Sequence, residues 1–385
     1  MIRSLYYSLF GRIKKCVLFS SFNGQYNDNP KYISEKLNEL DPSVDIYWVK
    51  SSKTHEEFPS YVHIVELYSK EYMRLIYTAK VVVDNINGTR SGTCLKKSLW
   101  DNIRLYLINI KKKGQLNIST WHGTPLKKIA MDEPDASLLY NYYCSSDFIL
   151  SGCKYTSEKL RHAFQNKVIV KECGTPRNDI LINNRIDINK IKKKLGLPLD
   201  RKIILYAPTF RNNIEDSGLS QMNTLNFEKL HQALMNKFGG EWMFVYRVHN
   251  LVQMKIESIN YNNHGMEVIN GNLHDDMAEY LYCADILLTD YSGSMFDFAL
   301  TKRPCFLFTP DIEYYGRVER GFYINITELP YSVSKTCDDL IYSILNFSEG
   351  LYEKKVSDFL QNIGNFEKGV ASEIVAKEIL TFLNN

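Results

Sequence analysis

Two histidines stand where strand-like runs of the chain end. His122 follows the run Asn117–Trp121 and precedes Gly123, which lets the backbone turn sharply and exposes the imidazole. An exposed histidine can take a proton from a hydroxyl near neutral pH, whereas a buried structural histidine is the other interpretation. His249 lies two residues after Arg247, and such residues share one face of a strand. This second pair predicts either an anion held between two cations or a histidine bonded to backbone.

Two further strand ends carry hydroxyl, guanidinium and carboxylate groups. Thr209 and Arg211 close one run, and the planar guanidinium suits phosphate, although a surface arginine is the alternative. The apolar run Asp285–Thr289 leads into Asp290, after which Ser292–Ser294 begins an amphipathic helix. Backbone N–H groups at a helix start, with two hydroxyls and a glycine, predict an anion site whose expected guest is a diphosphate. Simple helix capping by serine uses the same turn.

Several common site motifs are missing from the sequence. It contains no GxxxxGK[ST] loop, no GxGxxG after the first strand-like run and no CxxC pair among its eight cysteines. The acidic pair Asp275-Asp276 falls at a helix start rather than a strand end, which argues against a magnesium site there. We therefore expect a metal-independent reaction without a cofactor, in which arginine, histidine and helix dipoles meet the charge of a leaving diphosphate. Scattered thiols without a signal peptide predict a reducing cytoplasm.

The elements that must position these residues alternate between strand and helix. Because 385 residues exceed what one core usually supports, we expect two α/β domains with parallel sheets, each Rossmann-like. The predicted boundaries are 1–175 for an N-terminal domain, 176–368 for a C-terminal domain and 369–385 for a helix that packs back on the first domain. The predicted strands are Cys16–Ser20, Asp45–Val49, Lys80–Asp84, Asn117–Trp121, Phe148–Ser151, Lys167–Lys171, Lys202–Ala207, Trp242–Arg247, Met266–Asn270, Asp285–Thr289 and Pro304–Phe308; the helices include Asn29–Leu40, Leu95–Ile110, Phe227–Phe238 and Met295–Thr301.

Positive charge is concentrated in one stretch of a chain whose net charge is only +3. Between Lys96 and Lys128 there are eight basic residues and one acid, Asp101. Such an island predicts an anionic partner, or else a solvated helix face. The N-terminal residues Ile2, Leu5, Tyr6, Leu9, Phe10 and Ile13 fall on one helical face, which predicts a helix in a membrane interface or one packed on its own domain.

The chain resembles the CDP-glycerol glycerophosphotransferases of wall teichoic acid and capsule synthesis. The resemblance is carried by the four strand ends described above, which hold His122, Thr209, Arg247 and Asp290, and by Ser21–Pro30, Gly174–Asp179, Arg317, Arg320 and Gly321–Tyr323. The resemblance covers nearly the whole chain and implies a GT-B fold, with two Rossmann-like domains facing across a cleft and the donor in the second. It also implies transfer of glycerol phosphate, or a related alditol phosphate, from CDP-glycerol to a hydroxyl, with release of CMP. The chain resembles the shorter primer-type members, and it departs from the family pattern at Thr327–Tyr331.

The resemblance also assigns roles to individual residues. The family's two essential histidines map onto His122, the expected general base, and His249. The implied acceptor is a polyprenyl-diphosphate-linked saccharide or a growing polymer, reached from the cytoplasm at the anionic inner face of the cell membrane, with no nucleic acid partner. A GT-B glycosyltransferase using a nucleotide sugar and a catalytically silent module on the same fold are the alternatives. The implied donor-binding residues are Thr209, Arg211, Arg247, Asp290, Ser292, Gly293, Ser294, Asp297 and Arg320, and the acceptor or membrane residues are Lys111, Lys112, Lys113, Lys127 and Lys128.

Overall fold

The chain divides into two compact units. The structure is a computed structural model that describes residues 6–7, 9–51, 57–85, 112–133, 146–183, 186–209, 219–248, 265–313, 315 and 321–385. Unit 1 comprises Met1–Thr124, Ile129–Asp179 and Asn365–Asn385, and unit 2 comprises Pro125–Lys128 and Ile180–Gly364. The units change at 179/180 and 364/365, close to the predicted 175/176 and 368/369. The assignment of acceptor and donor to these units stays a prediction.

Unit 1 is built on a seven-stranded sheet whose paired strands are all parallel. The strand order is β3-β2-β1-β4-β5-β6-β7, so the sheet grows outward in both directions from β1 and β4. Nearly every residue of the central strands is buried, because parallel sheets are covered on both faces. The strands are β1 (Lys14–Phe19), β2 (Asp45–Lys50), β3 (Val62–Glu66), β4 (Ala79–Asp84), β5 (Leu116–Ser119), β6 (Phe148–Ser151) and β7 (Val170–Glu172).

Alternate residues of β1 enter different cores, as the two-residue period of a strand requires. Val17 and Phe19 belong to one apolar cluster, whereas Cys16 and Leu18 belong to the cluster on the other face. The C-terminal helix, although last in the chain, buries four of its residues in the first of these clusters. The described helices of unit 1 are α1 (Asp28–Leu40), α2 (Lys70–Thr78), α3 (Lys154–Ala163) and, at the C-terminus, α12 (Ala371–Asn384), while α4 (Asp179–Ile182) begins in unit 1 and continues into unit 2.

Unit 2 repeats the same topology with six parallel strands in the order β10-β9-β8-β11-β12-β13. Its strands are β8 (Lys202–Ala207), β9 (Trp242–Tyr246), β10 (Glu267–Asn270), β11 (Ile286–Thr289), β12 (Cys305–Phe308) and β13 (Ser332–Ser334). The described helices of unit 2 are α5 (Ile188–Lys194), α6 (Leu219–Met222), α7 (Phe227–Phe238), α8 (Met277–Cys283), α9 (Ser294–Ala299), α10 (Cys337–Leu345) and α11 (Glu349–Asn362).

Each sheet therefore has a point at which the strand order reverses. In unit 1 this point lies between β1 and β4, and in unit 2 it lies between β8 and β11. Loops that leave the carboxyl ends of these two strands part to opposite faces of the sheet, which opens a crevice where ligands of such folds bind. The prediction of Rossmann-like α/β domains is confirmed in both units, and the polar residues after β1, β4, β8 and β11 become the first candidates for a site.

The predicted strands differ from the observed ones mainly at sheet edges. Strands β3 and β13 were not predicted from the sequence, and β7 spans Val170–Glu172 rather than the predicted Lys167–Lys171. All three are edge strands of their sheets. An edge strand pairs with one neighbour only, so its sequence pattern is weaker than that of a central strand. The predicted helix Leu95–Ile110 lies outside the described residues.

Candidate functional site

His122 lies in the loop that leaves β5 at the carboxyl edge of the first sheet. The backbone N–H of Thr120 donates to Asp84 O at 2.6 Å, which extends the pairing of β4 and β5 by one residue. Trp121 then adopts φ +53° and Gly123 φ +113°, so the residues on both sides of His122 have left-handed backbone. A tryptophan with positive φ is uncommon, and the conformation turns the His122 side chain out of the sheet and into an exposed position.

Three neighbours fix the orientation of the imidazole. Its Nδ1 lies 3.1 Å from the backbone oxygen of Asn85, the residue that follows β4. The Trp121 ring stacks on the imidazole at a centroid distance of 4.3 Å, and the Phe22 ring meets it edge-on at 5.5 Å. Because a carbonyl oxygen can only accept, Nδ1 carries the proton and the lone pair of the neutral ring is on Nε2. A ring in this tautomer has the form that a general base requires.

A buried polar network lies next to this histidine. Asn85 is fully buried, and its Nδ2 donates to Asp28 Oδ2 at 2.6 Å and to Ser21 Oγ at 2.9 Å. The other carboxylate oxygen of Asp28 accepts from Arg177 Nη1 at 2.7 Å, and Arg177 Nη2 donates to the backbone oxygen of His122 at 3.0 Å. The contributions come from the loops after β1, β4 and β5 and from the turn before α4. The network therefore joins the strand ends at the reversal point.

Asn29 and Gly123 complete the surroundings of Arg177. Asn29 Nδ2 donates to the backbone oxygens of Thr120 and Trp121, while its Oδ1 accepts from the backbone N–H of Arg177 at 3.0 Å. A side chain on Gly123 would collide with Arg177 Nη2, so glycine is required for the guanidinium to reach the His122 carbonyl. The segment that carries Asn29 and the one that carries Arg177 are thereby held against the turn at His122.

The corresponding point of unit 2 is centred on Asp290, which directly follows β11. This carboxylate is fully buried, and its Oδ1 accepts from the backbone N–H of Thr209, two residues after β8, at 2.8 Å. The same oxygen accepts from the backbone N–H of Tyr291. Asp290 therefore holds the two loops that leave the reversal point of the second sheet, which is a positioning role for the predicted donor residues around it.

The predicted Ser-Gly-Ser turn lies at the start of α9 and is half-buried. Ser292 Oγ accepts from the backbone N–H of Ser294 at 3.3 Å and lies 2.9 Å from Ser294 Oγ, so the two hydroxyls point to the same place. The turn is closed by a bond from the Phe296 N–H to Gly293 O. Asp297 is buried one turn later in the same helix. The structure thus brings Thr209, Asp290, Ser292 and Ser294 to one end of one sheet.

Arg247 corrects a sequence-based expectation. Its guanidinium was expected to reach an anion, but it is buried and donates to the backbone oxygens of Gly271, His274 and Asp275 at 2.6, 2.5 and 2.7 Å. It also packs on the ring of Tyr280 at 4.9 Å. The strand ends at Tyr246, one residue earlier than predicted, which frees Arg247 to fold back against the loop that precedes α8. We therefore assign Arg247 to the positioning of residues 271–275.

Two of the predicted acceptor lysines make contacts within the chain, while the acceptor role of all five stays a prediction. Lys112 Nζ donates to the backbone oxygens of Tyr7 and Gly11, and Lys127 Nζ donates to Tyr315 Oη at 3.1 Å. Lys127 and Lys128 belong to unit 2, where the backbone of Lys127 and Phe322 forms a bridge, whereas Lys112 and the exposed Lys113 belong to unit 1. The two lysine groups are thus parts of different units, although they are close in the sequence.

Four predicted site residues lie outside the described part of the chain: Lys111, Arg211, His249 and Arg320. The residues that the sequence analysis gave no role are Ser21, Asp28, Asn85 and Arg177. Asn85 and Ser21 could have been found from one signal, since each is a polar residue within two positions of the end of a buried strand of the central pair. Among the described residues no group of three or more acidic, histidine or cysteine side chains is placed to hold a metal ion.

Comparisons with known proteins identify the family of the chain. The family model for CDP-glycerol:poly(glycerophosphate) glycerophosphotransferases matches residues 5–381. The chain belongs to this family. It is similar to the teichoic acid poly(glycerol phosphate) polymerase of Bacillus spizizenii, with 32% identity over 97% of this chain and 93% of that protein. It is also 31% identical to the teichoic acid glycerol-phosphate transferase of Staphylococcus aureus, over 95% of this chain and 93% of that protein.

Other family members are longer than this chain. The teichoic acid poly(glycerol phosphate) polymerase of Staphylococcus epidermidis is 31% identical over 94% of this chain but only 50% of its own length, so the chain spans about half of that relative. The solved structure of the wall teichoic acid polymerase TagF superposes with a TM-score of 0.79 at 28% identity, covering 99% of this chain and 93% of that one. A further TagF structure, with a TM-score of 0.79, comes from a soak with CDPG. The predictions of the family and of a GT-B fold are confirmed.

Proposed function

We propose that the chain transfers glycerol phosphate from CDP-glycerol to a hydroxyl of a lipid-linked saccharide or a growing teichoic acid polymer and releases CMP. The observation that carries this proposal is the exposed His122, whose Nδ1 is bonded to a carbonyl at the reversal point of the first sheet. Support comes from the family of the chain and from the relatives that act on glycerol phosphate.

His122 acts in this proposal as the general base. The acceptor hydroxyl oxygen attacks the phosphorus that carries glycerol, and its proton passes to His122 Nε2. The bond between that phosphorus and the bridging oxygen breaks, so that CMP leaves with the electron pair. One proton is transferred and one phosphorus–oxygen bond replaces another, with no change in redox state. A positioned base of this kind contributes about 10²–10⁴-fold to a rate.

The donor diphosphate is assigned to unit 2. Ser294 Oγ donates to Ser292 Oγ, which leaves the Ser292 hydroxyl hydrogen to donate to a phosphate oxygen, and Asp290 holds Thr209 at the same end of the sheet. Among the described residues these groups are neutral donors, so the proposal relies on Arg211, His249 and Arg320 for compensating positive charge. The reaction is proposed to proceed without a metal ion, because phosphoryl transfer can be stabilised by positioned donors and cations.

The acceptor is proposed to reach the enzyme at an anionic membrane surface. Residues 6, 7, 9 and 10 are helical, and Tyr7 packs against the core of unit 1 while Tyr6, Leu9 and Phe10 are 57%, 63% and 70% exposed. No helix of the described residues is both long and apolar enough to cross a bilayer. The exposed apolar residues are followed in the sequence by Arg12, Lys14 and Lys15, which are exposed and cationic, and helices that lie in a membrane interface combine the same two kinds of residue.

The central experiment measures CMP release by the purified chain. CDP-glycerol, CDP-ribitol and a UDP-sugar are each offered with a synthetic lipid-linked saccharide, and the product is identified by mass spectrometry. We expect CMP and a saccharide that has gained glycerol phosphate. Turnover with the UDP-sugar alone would replace the proposal with a nucleotide-sugar glycosyltransferase, and absence of binding to any cytidine nucleotide would support a catalytically silent module.

The membrane part is tested separately by sedimentation with anionic vesicles. Replacing Leu9 and Phe10 by serine is expected to reduce the bound fraction, and binding by the unchanged chain is expected to weaken as salt rises. The matched control replaces Tyr342 and Leu351, which are 70% and 62% exposed in unit 2, by serine. Equal loss in both double variants, or no binding of the unchanged chain at low salt, would contradict the membrane proposal.

A further inference from the structure

Asp28 stands out because it bonds to two residues that each hydrogen-bond to His122. Its Oδ2 accepts from the amide of Asn85, whose backbone oxygen accepts from the imidazole. Its Oδ1 accepts from Arg177, whose second nitrogen donates to the backbone oxygen of His122. One carboxylate thus controls both the ring and the backbone of the same residue, through two separate arms. The bonds of Asp28 go to Asn85 and Arg177 and not to the imidazole, so its effect on His122 must be indirect.

The Asn85 arm sets the position of the carbonyl that accepts from the ring. The fully buried Asn85 side chain is held by Asp28 and by Ser21 Oγ, and Ser21 Oγ in turn donates to Asn27 Oδ1 at 2.5 Å. Since the amide and the carbonyl belong to one residue, movement of the amide would move the carbonyl away from His122. The bonds to Asp28 and Ser21 therefore maintain the protonated Nδ1 form of the ring.

The Arg177 arm sets the backbone turn on which His122 sits. The guanidinium is planar and rigid, so its two terminal nitrogens reach Asp28 and the His122 carbonyl in fixed directions, whereas a lysine would offer both bonds from one flexibly held nitrogen. Asp28 has φ +58° and Trp121 has φ +53°, so the two ends of this arm both carry left-handed backbone in residues other than glycine. Such conformations persist where the surrounding contacts determine them, and here those contacts converge on one histidine.

We propose that Asp28 is a positioning residue that, through Asn85 and Arg177, keeps the lone pair of His122 on Nε2 and aims it outward. The proposal rests on the proposed function for the use of that lone pair as a base. It adds a residue that binds neither the donor nor the acceptor and that the reaction nevertheless requires. Asp28→Asn keeps the size of the side chain but removes the charge and one acceptor oxygen, so we expect at least one of the two arms to weaken.

The test that decides the proposal observes the tautomer directly, without turnover. The chain is labelled with ¹⁵N-histidine, and the two-bond proton–nitrogen pattern of His122 is identified as the pattern missing from His122→Gln. We expect the Nδ1–H form in the unchanged chain and a mixture containing the Nε2–H form in Asp28→Asn. Ser21→Ala, which removes only one acceptor of the Asn85 amide, is expected to give a smaller change in the same direction.

Activity provides the second readout. Asp28→Asn is expected to lower kcat by about 10- to 100-fold, the range known for loss of the hydrogen-bond partners that orient a metal-bound histidine, while KM for CDP-glycerol stays within about twofold. The matched control is Asp179→Asn, another aspartate of unit 1 that is 7% exposed like Asp28 but bonds to Ala371 and Ser372 instead. Folding of each variant is checked by its thermal unfolding curve. The control is expected to keep the Nδ1–H form and the kcat of the unchanged chain.

The outcomes separate this proposal from the proposed function. An Nε2–H form in the unchanged chain overturns it, as does a folded Asp28→Asn variant with unchanged tautomer and unchanged kcat. If Asp28→Asn does not fold, the tautomer of Ser21→Ala decides, and an unaltered Nδ1–H form there overturns the proposal. If the tautomer responds as expected but His122→Gln releases CMP at the normal rate, the positioning by Asp28 stands and the catalytic role of His122 falls.

Discussion

In both units the residue that follows the fourth strand of the sheet is bonded to a residue two positions after the first strand. In unit 1 these residues are Asn85 and Ser21, and in unit 2 they are Asp290 and Thr209. Asn85 is an amide that donates, and it fixes a carbonyl against His122. Asp290 is a carboxylate that accepts from two backbone N–H groups. The same topology therefore brings the same positions together, while the residue type decides what each position holds.

The proposed function assigns proton transfer to the first sheet and donor binding to the second. The topology explains where the polar residues meet, since the carboxyl ends of neighbouring parallel strands share one edge. It does not explain the proposed division of roles, which we attribute to a donor amide in one unit and an acceptor carboxylate in the other. The substitutions described next test this difference between the two units.

The largest effect is expected for His122→Gln. Glutamine keeps a polar side chain at the turn but has no group that can take the proton, so kcat should fall by about 10²–10⁴-fold. The measurement is CMP release under saturating CDP-glycerol. The control is His63→Gln, since His63 is an exposed histidine of the same unit on the edge strand β3 and should retain full activity. Equal rates in the two variants would remove His122 from the mechanism.

The next effect is expected for Asn85→Asp, which gives unit 1 the residue type that unit 2 uses. The new carboxylate would face the carboxylate of Asp28 at the present hydrogen-bond distance, with both groups buried. We expect the free energy of unfolding to fall by about 3–5 kcal/mol, because a buried charge is left without compensation. The loss should shrink at acidic pH, where one carboxyl is protonated and can donate to the other. Chemical denaturation at two pH values measures it, and a pH-independent loss would contradict this account.

The reverse exchange, Asp290→Asn in unit 2, should cost less. Asparagine keeps an acceptor oxygen for the N–H groups of Thr209 and Tyr291, while the charge is removed and the second carboxylate oxygen becomes an NH2 group. We expect a fall of about 1–2 kcal/mol in the free energy of unfolding, together with weaker binding of CDP-glycerol measured by calorimetry. A loss as large as that of Asn85→Asp would show that the two positions are equivalent after all.

The smallest effect is expected for Lys127→Ala. The ammonium donates to Tyr315 Oη and lies 5.7 Å from the centre of that ring, which itself stacks on Tyr291 at 4.0 Å. Loss of a partly exposed contact of this kind should cost about 0.5–1 kcal/mol of unfolding free energy. Lys128→Ala is the neighbouring control, because the bond of Lys128 to Gly321 O uses its backbone N–H and would remain. Loss of CMP release without loss of stability would instead favour the predicted acceptor role of Lys127.

Much of the fold could be predicted, because the buried strands of both sheets coincide with apolar runs in the sequence. The strand β8 and the helix α7 have their predicted bounds, since a fully buried strand and a helix between clear boundaries leave strong patterns. His122 and the Ser292–Ser294 turn were found because they follow such runs directly. The short edge strands β3 and β13 left weaker patterns.

The network beneath His122 could not be predicted in the same way. Asn85 and Arg177 lie 57 and 149 residues after Asp28 in the chain, and only the strand order brings the three residues together. Arg247 is a case in which a sequence pattern misled. Its spacing from His249 predicted a shared strand face, but β9 ends at Tyr246 and the guanidinium donates to backbone oxygens. Periodicity indicates which face a residue occupies only as long as the strand continues.

The division of work between the two sheets is tested most directly by the affinity of His122→Gln for CDP-glycerol, measured by calorimetry on the same preparation whose CMP release is assayed. We expect the dissociation constant to stay within about twofold of that of the unchanged chain while CMP release is lost, because His122 removes a proton and does not hold the donor. A variant that loses donor binding in proportion to its activity would contradict the account.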